Sequence, residues 1–421
     1  MRLAALSKYW LFASLPLWLY IILFKSGGSL YYTALPVLGE QVLPIWLVGV
    51  LIGASSFVQL VLDVPAGICL DRYGYVRLLR LTSACLSLGG IVLFFFGLQS
   101  WTFIVLILMS GFGWLFFGPG VDAYALVMSP PGHAGRFMSI RRLTSSLGTT
   151  IAALLFTLLL PFPPRALGLV IGTLLVLDVL VTFFLKPEKQ SVHAEKKIET
   201  HHYFVRRQVL KDIIRSIRRL NPASGMLAFS GFAGATFYGI VWFALPLYLQ
   251  EQAQAGPLQL GLAIFDVTVI VCGGFIGKLA DTKHKRLFIF LGLCLFAVFS
   301  TLVGFHLNGW FLVFGFLASM GDELSCVSLW SWMNHLNRDH AHDGLVASVI
   351  SFFQDLGWVI GPIIAGLVYV RLGPSWTICL GASFIVFSWI ISSIVLRCNI
   401  LSIFHSPLPA SARPHRYPHK D

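Results

Sequence analysis

Long apolar stretches separated by short polar ones run through this chain of 421 residues. They are apolar nearly all round a helix rather than along one stripe, which is typical of segments that face lipid. A helix needs about 20 such residues to cross the hydrocarbon layer. Stretches of this kind are predicted at 10–36, 43–70, 76–98, 101–128, 136–162, 166–185, 222–250, 257–280, 286–306, 309–336, 344–371 and 375–396. The pattern predicts an all-α membrane protein with twelve transmembrane helices, because a backbone in lipid must satisfy its own hydrogen bonds.

The composition agrees with this interpretation and argues against a soluble protein. Charged residues make up 11% of the chain and the mean hydropathy is +0.81, whereas a soluble chain carries about 25% charged residues. The net charge of +12 could indicate nucleic-acid binding in a soluble protein, but membrane topology explains it better. The seven Cys fit neither a metal site nor a disulfide framework, and no cofactor is expected.

The distribution of basic residues predicts the orientation of the spans. Twenty-six of the 30 Lys and Arg residues fall on the side that holds both termini. Only Arg165 and Arg371 fall on the opposite side, while Lys25 and Lys278 lie within spans. Since basic loops stay in the cytoplasm, both termini and the 186–221 loop are expected there. Compact loops and the absence of an Asn-x-Ser/Thr site suit a bacterial inner (plasma) membrane.

One long polar segment divides the chain. The predicted organisation is a six-helix bundle at 1–185, a basic cytoplasmic linker at 186–221, a second bundle at 222–396 and a cytoplasmic tail at 397–421. Within the linker, residues 204–220 place apolar side chains on one helical face and basic ones on the rest. This pattern predicts an amphipathic helix on the anionic inner leaflet; an ordinary solvated linker is the alternative.

Three pairs of similar segments recur at an offset of 209 or 210 residues. They are Ala-Leu-Pro at 34–36 and 244–246, Gly-x-x-x-Asp at 67–71 and 277–281, and Leu-Gly at 147–148 and 356–357. All three pairs fall at equivalent spans of the two bundles. The chain is therefore interpreted as a duplicated six-helix unit, as in many secondary transporters.

Two loops carry a common signature, one in each half. After the second span the chain reads Gly67-Ile-Cys-Leu-Asp71-Arg72-Tyr-Gly74, and after the eighth it reads Gly277-Lys-Leu-Ala-Asp281-Thr-Lys-His-Lys285-Arg286. Both resemble the loop signature of the major facilitator superfamily (MFS), in which a second glycine and two basic residues follow the acid. The first copy has its basic residue, Arg77, one position late, and the second has His284 in place of the second glycine. The resemblance implies the MFS fold, two pseudo-symmetric six-helix bundles that work by alternating access.

The resemblance also implies roles for the signature residues. Gly67 is expected to let helices pack closely and Gly74 to permit the turn. Asp71 is expected to latch one conformation, near the partly positive N-terminus of the eleventh span; a charge that only enforces topology is the alternative. The predicted gating residues are Gly67, Asp71, Arg72, Gly74, Arg77, Gly277, Asp281, Lys285 and Arg286, with Asp63 and Asp122 in the same network.

The fifth and eleventh spans resemble the family unequally. Gly361-Pro362 in the eleventh span resembles the bend that the family places at the interface of its halves. The equivalent stretch of the fifth span lacks proline, so the family's antiport signature is incomplete. Arg136, Arg141 and Arg142 resemble the basic start of the fifth helix.

Ionisable side chains within spans are costly and usually functional. Lys25 lies near the middle of the first span, and Asp322 and Glu323 near the middle of the tenth; in the family fold these helices line the cavity. Neighbouring residues on a helix point about 100° apart, so only one of the two acids can face the cavity squarely. Either Lys25 pairs with an acid across the cavity, or one carboxylate carries a proton, or the groups form a static ion pair. The predicted substrate or proton site comprises Lys25, Asp322, Glu323, Asp355, Asp266, Tyr238 and Trp242, while Asp178 is expected to be structural.

Acids outnumber the single lysine in this predicted site, which favours a cationic or amphipathic organic substrate. The expectation is a proton-coupled secondary transporter working in efflux, a monomer whose partners are a small-molecule substrate, protons and the lipid bilayer, with no nucleic acid. Uptake or exchange of an organic anion or sugar bound by Lys25 is the alternative within transport, and a non-transporting membrane sensor is the alternative outside it. An enzyme is not expected, because the sequence has neither a His-Glu-x-x-His pair nor a nucleophile elbow.

Overall fold

A computed structural model describes residues 14–129, 134–186, 222–252, 260–280, 282, 284–307, 309–336 and 343–403. The predicted amphipathic helix at 204–220 and most of the predicted tail lie outside these ranges. So do Asp281 and the side chain of Asp71, two of the predicted gating residues.

The described residues form apolar helices connected by short turns. The helices are α1 (Leu15–Glu40), α2 (Ile45–Tyr73), α3 (Tyr75–Phe96), α4 (Ser100–Leu115), α5 (Phe117–Met128), α6 (Ala134–Leu159), α7 (Pro164–Thr182), α8 (Pro222–Glu251), α9 (Gly261–Ala280), α10 (Lys285–Phe305), α11 (Trp310–Leu336) and α12 (Asp343–Ile403). Together, α4 and α5 make one span, Ser100–Met128. The apolar part of α12, Val349–Leu396, is 48 residues long and crosses twice, because Gly373 (φ 75°, ψ 179°) interrupts it. The prediction of an all-α protein with twelve spans is confirmed.

The ends of the helices differ from the predicted ends by a few residues. Helix α1 continues to Glu40 rather than 36, and α12 continues to Ile403, past the predicted end of the last span at 396. The break between α4 and α5 follows from Pro119, which has no N–H to donate to the carbonyl of Leu115 one turn earlier. The turn between α2 and α3 is made by Gly74, whose φ of 88° suits glycine and few other residues, as predicted.

The internal duplication is visible in how the helices pack. A Cβ atom on Gly148 of α6 would lie 2.8 Å from the carbonyl oxygen of Ile22 in α1. A Cβ atom on Gly357 of α12 would lie 2.6 Å from the carbonyl oxygen of Phe232 in α8. Ile22 and Phe232 are separated by the same 210 residues that relate the sequence repeats. Both halves therefore use one glycine, at equivalent positions, to bring two helices into contact.

The two halves meet along α2 and the first part of α12 (343–372). Near the side opposite the predicted cytoplasmic side, a Cβ atom on Gly49 would lie 2.9 Å from the Cα of Gly366. Towards the predicted cytoplasmic side, the carboxyl groups of Asp63 and Asp355 adjoin each other. One turn further along α2, a Cβ atom on Gly67 would meet no described atom within 4 Å. Among the described atoms, the contact between the halves is therefore tight at Gly49 and open at Gly67.

The signature glycines have open surroundings among the described residues. Gly67 was expected to permit close packing of helices, and its repeat partner Gly277 stands in the equivalent loop. A Cβ atom on either glycine would meet no described atom within 4 Å. The packing role of Gly67 therefore stays a prediction.

Candidate functional site

A cavity of about 260 Å³ lies in the second half of the molecule. Helices α8, α10, α11 and α12 supply its walls, and its α8 residues belong to the part of that helix nearer the predicted cytoplasmic side. Asp322 and Asp355 contribute two carboxyl groups, and Tyr238, Phe296 and Trp358 contribute aromatic rings. No Lys, Arg or His is among the described residues that line it. The cavity is thus acidic and aromatic.

Asp322 is held by a tyrosine from the neighbouring helix. The hydroxyl of Tyr238 in α8 donates a hydrogen bond to Oδ2 of Asp322, at 3.0 Å. The Tyr238 ring also stacks on Phe296 of α10, with ring centroids 5.9 Å apart. These contacts fix the carboxyl group at the cavity wall. Trp358, on the opposite wall, is contacted edge-on by Tyr32 of α1, so the first half reaches the rim of the cavity.

Glu323, the neighbour of Asp322, does not line the cavity. Its side chain is 6% exposed and forms an ion pair with Nη2 of Arg142 in α6. As expected from the helix geometry, the two adjacent acids point in different directions. The Arg142–Glu323 pair joins α6 of the first half to α11 of the second, so it must rearrange when the halves move.

The preceding arginine makes a second ion pair, within the first half. Nε of Arg141 lies 2.7 Å from Oδ1 of Asp122 in α5. The sequence analysis placed Arg141 and Arg142 in the basic start of the fifth helix and missed both as site residues. Their depth was the available signal, since both fall after the predicted start of the fifth span at 136.

The ammonium group of Lys25 contacts aromatic rings rather than carboxylates. Its ammonium nitrogen lies 4.7 Å from the ring centroid of Trp114 and 5.3 Å from that of Phe117. It forms no ion pair with a described residue. Asp122 and Asp266 attract it from a greater distance. The side chain is only partly exposed, so it is a charge held largely by cation–π contacts.

Asp355 touches the first half as well as the cavity. Its carboxyl group adjoins that of Asp63 in α2. Two carboxylates this close repel each other when both are ionised, so a proton or a cation between them is favoured. Asp63, predicted as part of the gate, thereby adjoins a residue of the predicted substrate site.

Other predicted site residues lie elsewhere. Asp266 is on α9, near Lys25 and not at the cavity wall. Trp242 is buried in the apolar core, 8% exposed, and does not line the cavity. Asp178 is fully buried and accepts a hydrogen bond from Oγ of Ser83 at 2.6 Å. This contact ties α7 to α3 within the first half.

The described basic residues of the two signature loops make local contacts. Arg72 lies beside the ring of Tyr73, and Arg77 is exposed. Nζ of Lys285 donates to the carbonyl oxygen of Ser331 at 3.3 Å. Arg286 stands over the ring of Trp332, at 5.3 Å, and thus anchors the start of α10 on the end of α11.

Two duplicated six-helix units, the second of which holds a polar cavity, are joined by a charged contact between the halves. This arrangement defines a multi-pass membrane transporter. The chain belongs to the Major Facilitator Superfamily, whose family model matches residues 17–362. Members of this family are transporters rather than enzymes, and they bind small-molecule substrates within the membrane.

Similar proteins include bacterial multidrug resistance proteins. Over 138 residues the chain is 30% identical to the multidrug resistance protein MdtH of Shigella boydii serotype 4 (strain Sb227), a match that covers 33% of this chain and 34% of that protein. MdtH of Escherichia coli O1:K1 / APEC matches over 138 residues at 30% identity, covering 33% of each chain. The alignment thus spans about a third of these curated relatives.

The fold is also similar to that of a solved human transporter. The crystal structure of the human organic anion transporter MFSD10 (TETRAN) superposes with a TM-score of 0.63, covering 90% of this chain and 98% of that one. The sequences are 15% identical, so this likeness concerns the fold alone.

Proposed function

We propose that this protein exports a small cationic or amphipathic organic solute in exchange for protons. The observation that carries the proposal is the cavity in the second half, which presents two carboxyl groups and no basic side chain among its described lining residues. Charges inside a membrane protein are expensive unless they serve a substrate or ion. An acidic cavity attracts cations and repels anions.

The aromatic walls suit the same kind of substrate. Tyr238, Phe296 and Trp358 offer ring faces to a cation and apolar area to an organic body. A volume of about 260 Å³ admits a small organic molecule. The multidrug resistance named for the MdtH relatives supports efflux as the direction.

Proton coupling follows from competition for the same carboxyl groups. A substrate cation and a proton both neutralise Asp322 or Asp355, so binding of one favours release of the other. Such exchange leaves the charge of the cavity nearly unchanged, which avoids an unpaired carboxylate in the membrane.

Alternating access would be a rocking motion of the two bundles, 1–185 and 222–396, about this cavity. The linker at 186–221 would connect the two bundles, and the tail at 397–421 would move with the second one. The Arg142–Glu323 pair and the Asp63–Asp355 contact connect the bundles, so both would change during the cycle. We further propose a monomer in the bacterial inner membrane with both termini in the cytoplasm, as the distribution of basic residues favours.

Binding and flux of one small aromatic cation, benzyltrimethylammonium, test the proposal. Purified wild-type protein should be stabilised against heat by this cation, and proteoliposomes should accumulate or lose it when a pH gradient is imposed. Asp322→Asn should weaken binding by about tenfold or more, the effect of removing one charge-assisted contact. Asp178→Asn, which removes a buried acid remote from the cavity, is the matched control and should bind as the wild type does.

Other outcomes would replace the proposal. If organic anions or sugars stabilise the protein, and Lys25→Ala removes that effect, uptake or exchange through Lys25 is the better function. Cation binding with no flux under any gradient would favour a membrane sensor.

A further inference from the structure

Lys25 and Ala235 occupy equivalent positions in the two halves. A Cβ atom on Gly148 would lie 2.6 Å from the Cβ of Lys25, and one on Gly357 would lie 2.7 Å from the Cβ of Ala235. The two residues are 210 positions apart, the offset of the repeat. The same glycine contact therefore places a lysine in one half and an alanine in the other.

The alanine lines the cavity of the second half. At the equivalent position of the first half, the long side chain of Lys25 places its ammonium group over Trp114 and Phe117. Trp114 itself packs edge-on against Phe117, with centroids 5.7 Å apart. The lysine thus ends in an aromatic cage, the kind of surrounding that binds ammonium ligands.

The charges around this cage are of both signs. Arg141 repels the ammonium group of Lys25, while Asp266 and Asp122 attract it. Arg141 is itself paired with Asp122, which leaves Asp266 of the second half as the acid without a described ion-pair partner near the cage. The ammonium of Lys25 makes no ion pair with a described residue, so it is not committed to a single acid.

We propose that Lys25 is a built-in cation that occupies an ammonium-binding cage formed by Trp114 and Phe117, and so restricts organic cations to the cavity of the second half. Lys25 is then a specificity-determining residue, and the cage is a second site for a small quaternary ammonium once the lysine is shortened. The restriction of substrate rests on the proposed function, whereas the cage itself does not.

Equilibrium binding of tetramethylammonium to the purified full-length protein tests the cage. Lys25→Ala should bind about one cation more than the wild type does, while Lys25→Arg, which keeps a cation at this position, should gain none. Adding Trp114→Leu to Lys25→Ala should weaken the additional binding by about tenfold, since a ring face is lost. Lys25→Ser provides a second truncation in case the alanine variant is not monodisperse.

Asp322→Asn separates this inference from the proposed function. In Lys25→Ala/Asp322→Asn, the cavity of the second half is impaired and the added cation should remain. If the wild type binds no cation but Lys25→Ala binds one, the result supports the cage and contradicts the proposed class of substrate. The inference is overturned if neither truncation gains a cation, or if Trp114→Leu leaves the gained binding unchanged.

Discussion

Arg142 neutralises a buried carboxylate that belongs to the other half of the molecule. The Glu323 side chain is 6% exposed and that of Arg142 is 46% exposed. A carboxylate so deeply placed is stable as an anion only with a partner, because taking it out of water costs several kcal/mol. The pair therefore stabilises the present arrangement of the halves mainly because separating them would leave the Glu323 carboxylate unpaired. The attraction between the two charges contributes less.

Removing one member of this pair should destabilise the protein more than removing both members. We expect Arg142→Ala to lower the apparent free energy of unfolding by about 2 kcal/mol, less than the ~3–5 kcal/mol of a fully buried pair because the arginine is half exposed. Arg142→Ala/Glu323→Gln should recover most of that loss. Thermal unfolding in detergent measures both, and Arg72→Ala, an exposed arginine without a described ion pair, is the control. Equal losses for Arg142→Ala and Arg72→Ala would show that the pair contributes nothing.

At this scale the sequence allowed only part of the site to be predicted. Which residues are charged within spans, such as Asp322 and Lys25, is plain from the sequence. Whether Asp322 or Glu323 faces the cavity depends on helix rotation, which the nearly uniform apolar surface of these spans does not indicate. Arg142 was missed because its partner lies 181 residues away, in the other half.

Helices α2 and α12 are in close contact at three glycines, Gly49, Gly53 and Gly366. A Cβ atom on Gly53 would lie 2.7 Å from the carbonyl oxygen of Val359, and one on Gly366 would lie 2.9 Å from the Cα of Gly49. Backbone atoms cannot move aside as a flexible side chain can. Small residues therefore set the distance between the halves on this side.

Large residues at this crossing should force the helices apart. We expect Gly49→Leu to lower the apparent free energy of unfolding by about 1–3 kcal/mol, as overpacking does, and to weaken disulfide cross-linking between cysteines placed near the ends of α2 and α12 on this side. Gly67→Leu lies on the same helix, where a Cβ atom would meet no described atom within 4 Å, and should change neither quantity. The account of the crossing is wrong if both variants behave alike.

At the scale of the elements, prediction from the sequence succeeded because length and polarity define spans in lipid. It gave the number of spans and most of their ends to within a few residues. It did not give the break before Phe117, because a proline inside a transmembrane helix is often tolerated when neighbouring groups satisfy the freed backbone.

The whole molecule is a duplicated unit whose copies have diverged in charge. Gly148 and Gly357 keep the same packing role, while Lys25 and Ala235 at matching positions do not carry the same charge. The offset of 210 residues predicted the duplication. That the acidic cavity among the described residues lies in the second half was not predicted, because it depends on which side chains fill the space between helices.

The orientation in the membrane is a prediction at this scale. In a variant without native cysteines, Val42→Cys should react with a membrane-impermeant maleimide added to intact cells, and Ser129→Cys should react only after the membrane is opened. These residues follow α1 and α5, on opposite sides of the predicted topology. The positive-inside rule is the physical reason. The reverse labelling pattern would place both termini outside.

The contact between Asp63 and Asp355 has a mechanical consequence. It lies ten residues before the end of α2 at Tyr73, a distance of about 15 Å at 1.5 Å per residue. This last part of α2 is therefore the long arm of a lever whose fulcrum is a pair of carboxyl groups. A tilt of about 10° there moves the end of the helix by roughly 3 Å. A ligand as small as a single ion between the two carboxyls would thus shift the end of α2 without touching it.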